Sequence, residues 1–176
     1  MAFVLPLLLA AGAASAALPA AALRCLSLDA PPSESRDACR EALKSALPAE
    51  WIVPVRTSLV RLLATEARWD EVIAEYRALA ELFPRDAEWP TRLGASLLLA
   101  AGQPAEAEAE LREALRRDPR RALAWALLGD ALASRQRFAD AVAAFEQAQS
   151  LEPGCLEARP ALAEVLAASR RGQSWP

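Results

Sequence analysis

The stretch WALLGDALASRQRFADAVAAFEQA, residues 125–148, decides how this chain folds. Its apolar residues recur three and four positions apart, which is the spacing of one face of an α-helix. The pattern breaks at SRQR, residues 134–137, where polar side chains separate two apolar halves. The stretch therefore predicts two helices joined by a tight turn, a hairpin that cannot bury its apolar faces alone.

The second half of this stretch recurs along the chain. RWDEVIAEYRALAELFP, QPAEAEAELREALRRDP and RFADAVAAFEQAQSLEP align without a gap from Arg68, Gln103 and Arg137, at offsets of 35 and 34 residues. Each copy closes on a proline, which ends its helix because the residue before a proline is pushed out of the α region. The aligned positions are Val72, Ala107 and Ala141; Tyr76, Leu111 and Phe145; Leu79, Ala114 and Ala148; and Pro84, Pro119 and Pro153.

A further helical pattern precedes each copy. AWALLGDALA is the clearest, and its counterparts are TRLGASLLLAA in the second copy and RTSLVRLLATEA in the first. In the second copy the Leu93-Gly94 pair stands one residue out of step with Leu128-Gly129, so the register of that helix stays open. Each unit therefore predicts a helix, a turn and a helix, and the three units together cover residues 52–155.

These residues resemble the tetratricopeptide repeat (TPR) family. The third unit carries the family's pattern, namely Trp125, Leu128, Gly129, Leu132, Ala141, Phe145, Ala148 and Pro153. The resemblance implies an all-α fold, a solenoid of helical hairpins in which small residues let helices approach closely and large residues fill the gaps. The alternative is an alanine-rich bundle with accidental periodicity, which is hard to reconcile with a block of 17 residues aligned three times.

The resemblance also implies a function, because TPR domains hold peptides or partner proteins on a concave surface lined by their first helices. Carried over residue by residue, the groove positions here are Thr57 and Arg61; Trp89, Arg92 and Ser96; and Ala126, Asp130 and Ala133. Packing accounts for Trp89 equally well. Family members that clamp a chaperone's C-terminal carboxylate resemble one another in using Lys and Asn. That subtype is not expected, since this chain has no Asn and its one Lys, Lys44, lies outside the three units.

Both flanks of the array continue the helical pattern. Residues 156–171 predict a capping helix, followed by a short tail at 172–176. Residues 23–51 predict a degenerate helical unit, since CREAL at 39–43 matches LREAL at 111–115. Cys25 and Cys39 would then lie on adjacent helices of a hairpin, where a disulfide is one interpretation and two small buried thiols are the other.

The first 22 residues predict a segment for export. They carry no charged side chain, residues 3–11 have the length of a signal-peptide core, and Ala14-Ser15-Ala16 fits a cleavage site, although no Lys or Arg precedes the core. Cleavage would place the protein in the periplasm or envelope of a bacterium, where a disulfide persists. The alternatives are an uncleaved anchor, which alone would bring in the membrane as a partner, and an alanine-rich tail or misassigned start.

Composition removes several classes of function. The chain has no His and three Cys, which excludes His-based catalytic triads, His-ligated metal sites and a four-thiolate zinc site. There is no Gly-rich phosphate loop, and a net charge of −3 without a basic surface argues against nucleic acid. Cys155 has no His to activate it, so we expect a packed thiol rather than a nucleophile.

We therefore expect a non-enzymatic interaction module whose partner is a protein or peptide, with no catalytic residue, no cofactor and no metal ion. Two alternatives stay open at this point. One is a structural or assembly protein of the cell envelope that associates with its own copies. The other is an enzyme whose site carries no recognised motif.

Overall fold

The computed structural model describes residues 18–27, 30–45 and 47–154, and these residues form eight α-helices without a β-strand. In chain order the helices are α1 (Ala20–Leu26), α2 (Pro32–Lys44), α3 (Ala49–Thr65), α4 (Trp69–Leu82), α5 (Glu88–Leu99), α6 (Pro104–Arg117), α7 (Ala122–Ser134) and α8 (Phe138–Leu151). The all-α fold expected from the sequence is confirmed.

Several expectations concern segments that lie outside the described residues. They are most of the export segment at 1–22, the capping helix at 156–171 with its tail at 172–176, and the environment of Cys155. These stay predictions. Within the described ranges, no helix combines the length and the apolar character that a membrane span requires.

The described residues divide into two compact units between Leu62 and Leu63. In the first unit, α1 and α2 pack against each other as a hairpin. Ala22, Cys25, Cys39 and Ala42 are all buried, and such small side chains allow two helices to approach closely. This hairpin covers most of the segment 23–51, for which the sequence predicts a degenerate helical unit, but α1 begins three residues earlier, at Ala20.

The core of the second unit lies where consecutive helices pack. α5 packs on α6 and α7 packs on α8, while α7 also contacts α6 and α5. Gly94 and Gly129 lie beneath the buried side chains of Leu111 and Phe145: a Cβ at Gly94 would lie 2.6 Å from Leu111 Cγ, and one at Gly129 would lie 2.5 Å from Phe145 Cε1. Both positions require glycine because no side chain fits between the helices there.

The turns that lead into α4, α6 and α8 share one backbone feature. Ala67, Gly102 and Gln136 adopt the left-handed conformation, with φ angles of 54°, 64° and 60°, each two residues before the next helix. The residue after each donates its amide to a carbonyl of the preceding helix, as in helix C-caps. The N···O distances are 3.0 Å for Arg68 to Leu63, 2.8 Å for Gln103 to Leu97 and 2.9 Å for Arg137 to Leu132.

These hydrogen bonds settle the register of α5. The bond spans five residues in the turns before α4 and α8, but six residues in the turn before α6. Leu97 is therefore the counterpart of Leu132, and Gly94 is the counterpart of Gly129, at an offset of 35 residues. The one-residue mismatch in the sequence is an extra residue in the turn at 100–103 and not a displaced helix.

Candidate partner-binding surface

The register of α5 corrects the groove positions predicted for the second unit. Residues 35 positions before Ala126, Asp130 and Ala133 are Thr91, Ala95 and Leu98. Trp89, Arg92 and Ser96 are therefore not equivalent to the predicted positions of the third unit. The prediction is wrong here because a single sequence does not show whether an inserted residue lies in a helix or in a turn.

Two of the predicted groove residues are buried and cannot contact a partner in this structure. Ala126 is 0% exposed and belongs to the core of the second unit, and its counterpart Thr91 is buried as well. Trp89 is 7% exposed, and its ring packs 6.2 Å from that of Phe83, centroid to centroid. Neither residue belongs to the binding surface, and packing is the correct account of Trp89.

The other predicted positions of α5 and α7 reach solvent. Arg92 is exposed, and Ser96, Asp130 and Ala133 are partly buried. The Ser96 hydroxyl donates to the carbonyl of Arg92 at 3.0 Å, so this side chain lies along its own helix. Of these residues, Ala133 also packs against the core of the second unit.

The two predicted positions of the first unit lie on α3. Arg61 is exposed, whereas the hydroxyl of Thr57 donates to the carbonyls of Val53 at 2.8 Å and Pro54 at 3.1 Å. The Thr57 hydroxyl is therefore already hydrogen-bonded to the backbone of its own helix. Pro54, in the same turn, has no amide hydrogen to donate. Of the two, Arg61 is the side chain with a polar group available to a ligand.

Exposed and partly exposed side chains of α5 and α7 form a surface that we call the first-helix face. Its members are Arg92, Ala95, Ser96, Leu98, Leu99, Asp130 and Ala133. Leu99 is 73% exposed, the largest exposed fraction among the large apolar side chains of the described residues. Together with Trp69, Ala95, Ser96 and Ala100 it borders a shallow pocket of about 400 Å³.

Sequence reasoning missed Trp69 and Leu99, although a signal for Leu99 was present. Leu97, Leu98 and Leu99 follow one another, and successive residues of a helix point about 100° apart. Three consecutive leucines therefore span about 200° of the helix surface, more than the apolar stripe of a helix with one buried side. Part of this run had to face solvent once α5 was placed in register.

A charged network borders the first-helix face. Glu88 forms ion pairs with Arg92, one turn along α5, and with Arg121 at the start of α7. Burial raises the pKa of the Glu88 carboxyl, but hydrogen bonds and charge from the two arginines lower it below its ordinary value. Glu88 therefore stays ionised near neutral pH and links α5 to the neighbouring first helix.

Arg117 holds the connection between α4 and α5 in place. Its Nη1 donates to the carbonyls of Phe83 at 3.3 Å and Asp86 at 3.1 Å, and its Nε donates to Glu113 at 2.8 Å. The last carbonyls of a helix have no partner within that helix, so an arginine from α6 satisfies groups that would otherwise require water. This contact fixes the position from which α5 begins.

Cys25 and Cys39 are brought together in the first unit. Their Sγ atoms lie 2.15 Å apart and their Cα atoms 4.6 Å apart, which is the arrangement of a disulfide. Both cysteines are buried, and they join α1 to α2 across 14 positions of sequence. That the two cysteines form a disulfide in the cell is a prediction for experiment.

Ion pairs engage many of the ionisable side chains of the described residues. The part of the chain that the structure describes holds no group of three or more His, Cys, Asp or Glu side chains placed to bind a metal ion. Its ionised side chains are mostly engaged in ion pairs along or between helices, as for Glu88 and Arg117.

Comparison with known families and proteins gives a consistent result. A family model described as "Tetratricopeptide repeat" matches residues 92–154, which include most of α5 and all of α6–α8. No curated protein matches the sequence significantly. The chain therefore resembles known proteins in its repeat pattern and in its fold.

Solved structures similar to this chain are built from the same repeats. YrrB, described as a TPR protein with an unusual peptide-binding site, matches with a TM-score of 0.60 and 19% identity over 79% of this chain. That match spans 66% of the YrrB chain, just under two thirds. MamA matches with a TM-score of 0.65 and 20% identity, over 80% of this chain and 79% of its own.

A third similar structure contains a bound peptide. It is the first TPR of Spaghetti (RPAP3) bound to the HSP90 peptide SRMEEVD, with a TM-score of 0.60 and 20% identity. The match covers 71% of this chain and 95% of that chain. At these identities the likeness concerns the fold, a stack of helical hairpins, which is the architecture expected from the sequence.

Proposed function

We propose that this chain, which is a tetratricopeptide repeat protein, is a scaffold for protein–protein interaction that binds a peptide or protein segment on its first-helix face. Proteins of this family are generally scaffolds without enzymatic activity. Two structural relatives are described with peptides, YrrB by its peptide-binding site and Spaghetti by its bound HSP90 peptide. Their shared fold supports the same class of ligand for this chain.

The observation that carries the proposal is the exposure of Leu99 beside Trp69. Leu99 borders the pocket of about 400 Å³, and Trp69 supplies an aromatic side chain at its edge. Covering an exposed leucine with a partner gains about 1–2 kcal/mol, and an adjacent aromatic residue is a frequent anchor of interfaces. Arg92 stands on the same helix, α5, and provides a charged group at the border.

A matched pair of variants tests this surface. Tagged wild-type chain, Leu99→Ser and Leu82→Ser are used to capture partners from an extract of the source cells, followed by mass spectrometry. Leu82 is the control because it is also exposed, at 49%, but lies on α4 away from the first-helix face. We expect a partner captured by the wild type and by Leu82→Ser, and a clear loss of that partner with Leu99→Ser.

Two outcomes of the capture experiment would contradict the proposal. Capture of the same partners by all three forms, or capture of none by the wild type, contradicts binding at the first-helix face. Circular dichroism of Leu99→Ser shows whether the helices are retained. Little change is expected, because the substituted side chain is mostly solvent-exposed.

A second copy of the chain is the alternative partner for the same exposed leucine. Leu99 and Trp69 would then be covered in a homo-oligomer, as in a self-associating assembly protein. Light scattering of the purified chain separates the two functions. A concentration-dependent rise in mass that Leu99→Ser abolishes supports self-association, and a strict monomer at high concentration removes it.

We further propose that the protein is exported to the periplasm or cell envelope of a bacterium. The approach of the Cys25 and Cys39 sulfurs supports this, since disulfides persist in oxidising compartments and are rare in the cytosol. N-terminal sequencing of the protein isolated from its natural cells is the test. A mature chain that begins between Ala17 and Leu23 is expected, and a start at Met1 or Ala2 contradicts cleavage.

A further inference from the structure

A second groove lies on the opposite side of α7 from the first-helix face. We call it the second-helix groove; it has a volume of about 570 Å³ and runs between α6 and α8, with α7 as its floor. Trp125, Leu128 and Leu132 of α7 line it. Asp130 lies two residues from both leucines, hence about 160° around the helix, so the two surfaces face opposite directions.

Trp125 is placed in this groove with a fixed orientation. Its Nε1 donates to the carbonyl of Pro119 at 2.9 Å, and its side chain is only partly buried. The polar edge of the indole is therefore satisfied by the protein itself, and the accessible remainder of the ring is apolar. An aromatic surface that is already oriented loses little conformational freedom on binding, which favours its use as an anchor.

The arginine on the α6 wall of the groove, Arg112, belongs to an ion-pair cluster around Glu108. Glu108, only 2% exposed, forms ion pairs with Arg112, Arg135 and Arg137, the last at 2.7 Å. Burial raises the pKa of the Glu108 carboxyl, but the three guanidinium groups lower it below its ordinary value, so it stays ionised. Three positive charges therefore share one buried negative charge.

Four charged side chains line the groove, namely Arg112, Arg137, Asp140 and Glu146, so its positive charge is local to Arg112 on the α6 wall. Arg137 also donates from Nε to Asp140 at 2.9 Å, which leaves the five groups with a net charge of +1. Arg112 has a side chain 54% exposed, and the carboxylate that it contacts is already shared with two other arginines. Its guanidinium, with five N–H donors, retains the capacity to bind a carboxylate from outside.

We propose that the second-helix groove is a docking site for an acidic peptide segment in which a bulky apolar residue stands next to Asp or Glu. The apolar residue covers Trp125, and the carboxylate pairs with Arg112 on the α6 wall. Glu146 lies on the α8 wall and repels an acidic ligand there, which fixes the orientation of the ligand toward α6. The site is independent of the first-helix face.

Selection from a phage-displayed random dodecapeptide library against the full chain tests the proposal. Selected peptides are synthesised, labelled and titrated by fluorescence anisotropy against the wild type, Arg112→Gln, Trp125→Ala, Glu146→Gln and Leu99→Ser. We expect a class with Asp or Glu beside an aromatic or aliphatic residue. For this class the dissociation constant should rise about tenfold with Arg112→Gln, as for loss of a charged hydrogen bond.

The control variants distinguish binding in the groove from loss of folding and from binding at another surface. Arg112→Gln should keep its fold, because Glu108 retains Arg135 and Arg137. Glu146→Gln should leave the affinity unchanged or tighten it, since it removes like charge. The proposal is overturned if no selected peptide binds more weakly to both Arg112→Gln and Trp125→Ala than to the wild type. Peptides weakened only by Leu99→Ser count against the groove and in favour of the first-helix face.

Discussion

The contact of Gly129 with the ring of Phe145 sets how closely α7 and α8 approach. The repeat pattern predicts both residues as packing residues, and Gly94 makes the equivalent contact with Leu111 in the preceding unit. Such packing residues are predictable since they obey a local spacing. The surface residues are not, because the burial of Ala126 and Trp89 depends on which neighbouring helices cover them.

Gly129→Ala is expected to destabilise the protein. The added Cβ would lie 2.5–2.8 Å from three atoms of the buried Phe145 ring, and overpacking of this kind costs about 1–3 kcal/mol. Urea unfolding measures the free-energy difference from the wild type. The double variant Gly129→Ala with Phe145→Leu is the control, because it makes room at the same place; a double variant less stable than the sum of both single losses contradicts this account.

Glu108 should make stability depend on acid pH. Its folded pKa lies below the ordinary value of 4.5, so its ion pairs stabilise the protein above that pH, and their contribution is lost as the pH falls through the folded pKa. Unfolding free energies at pH 7 and at about pH 3 should therefore differ more for the wild type than for Glu108→Gln. An equal difference in both proteins would show that Glu108 contributes nothing to the acid sensitivity.

At the scale of the element, the turns before α4, α6 and α8 each carry one left-handed residue. The presence of the helices was predictable, and so was their ending at the closing prolines, because both depend on residues only a few positions apart. The register of α5 was not, because the extra residue at 100–103 changes the sequence alignment in the same way wherever it is inserted. Only the hydrogen bond from Gln103 to Leu97 places it in the turn.

The turns offer a reciprocal pair of substitutions. Gln136 has φ of 60° and should gain about 0.5–1 kcal/mol as Gln136→Gly, since only glycine adopts this conformation freely. Gly102 has φ of 64° with no atom near its missing Cβ, so Gly102→Ala should lose about 1 kcal/mol through backbone strain alone. Thermal unfolding of both variants checks the prediction, and shifts of equal sign would contradict it.

At the scale of the whole molecule, the sequence predicted an all-α TPR solenoid and the structure has that architecture in its described helices. The class was predictable because the repeat period is a property of the entire chain. The partner surface depends instead on which helix sides remain uncovered after stacking, as Leu99 shows. The two compact units also differ in how they are held together, since α1 and α2 bring Cys25 and Cys39 within bonding distance.

A bridge between Cys25 and Cys39 should stabilise the first unit. A closed loop of this length is worth about 3 kcal/mol in the chain-entropy account, so dithiothreitol should lower the stability of the wild type. The double variant Cys25→Ser with Cys39→Ser should be insensitive to the reductant. Non-reducing peptide mapping of the isolated protein should recover the two cysteines in one linked peptide, and two free thiols would refute the bridge.

Hydrogen–deuterium exchange of the full chain with and without its captured partner tests the central claim most directly. Binding on the first-helix face predicts slower exchange in peptides from the end of α5, around Leu99, and from the start of α4, around Trp69. Peptides from α2 serve as the internal control and should exchange at the same rate in both states. Unchanged exchange in α4 and α5 on saturation with the partner would contradict the claim.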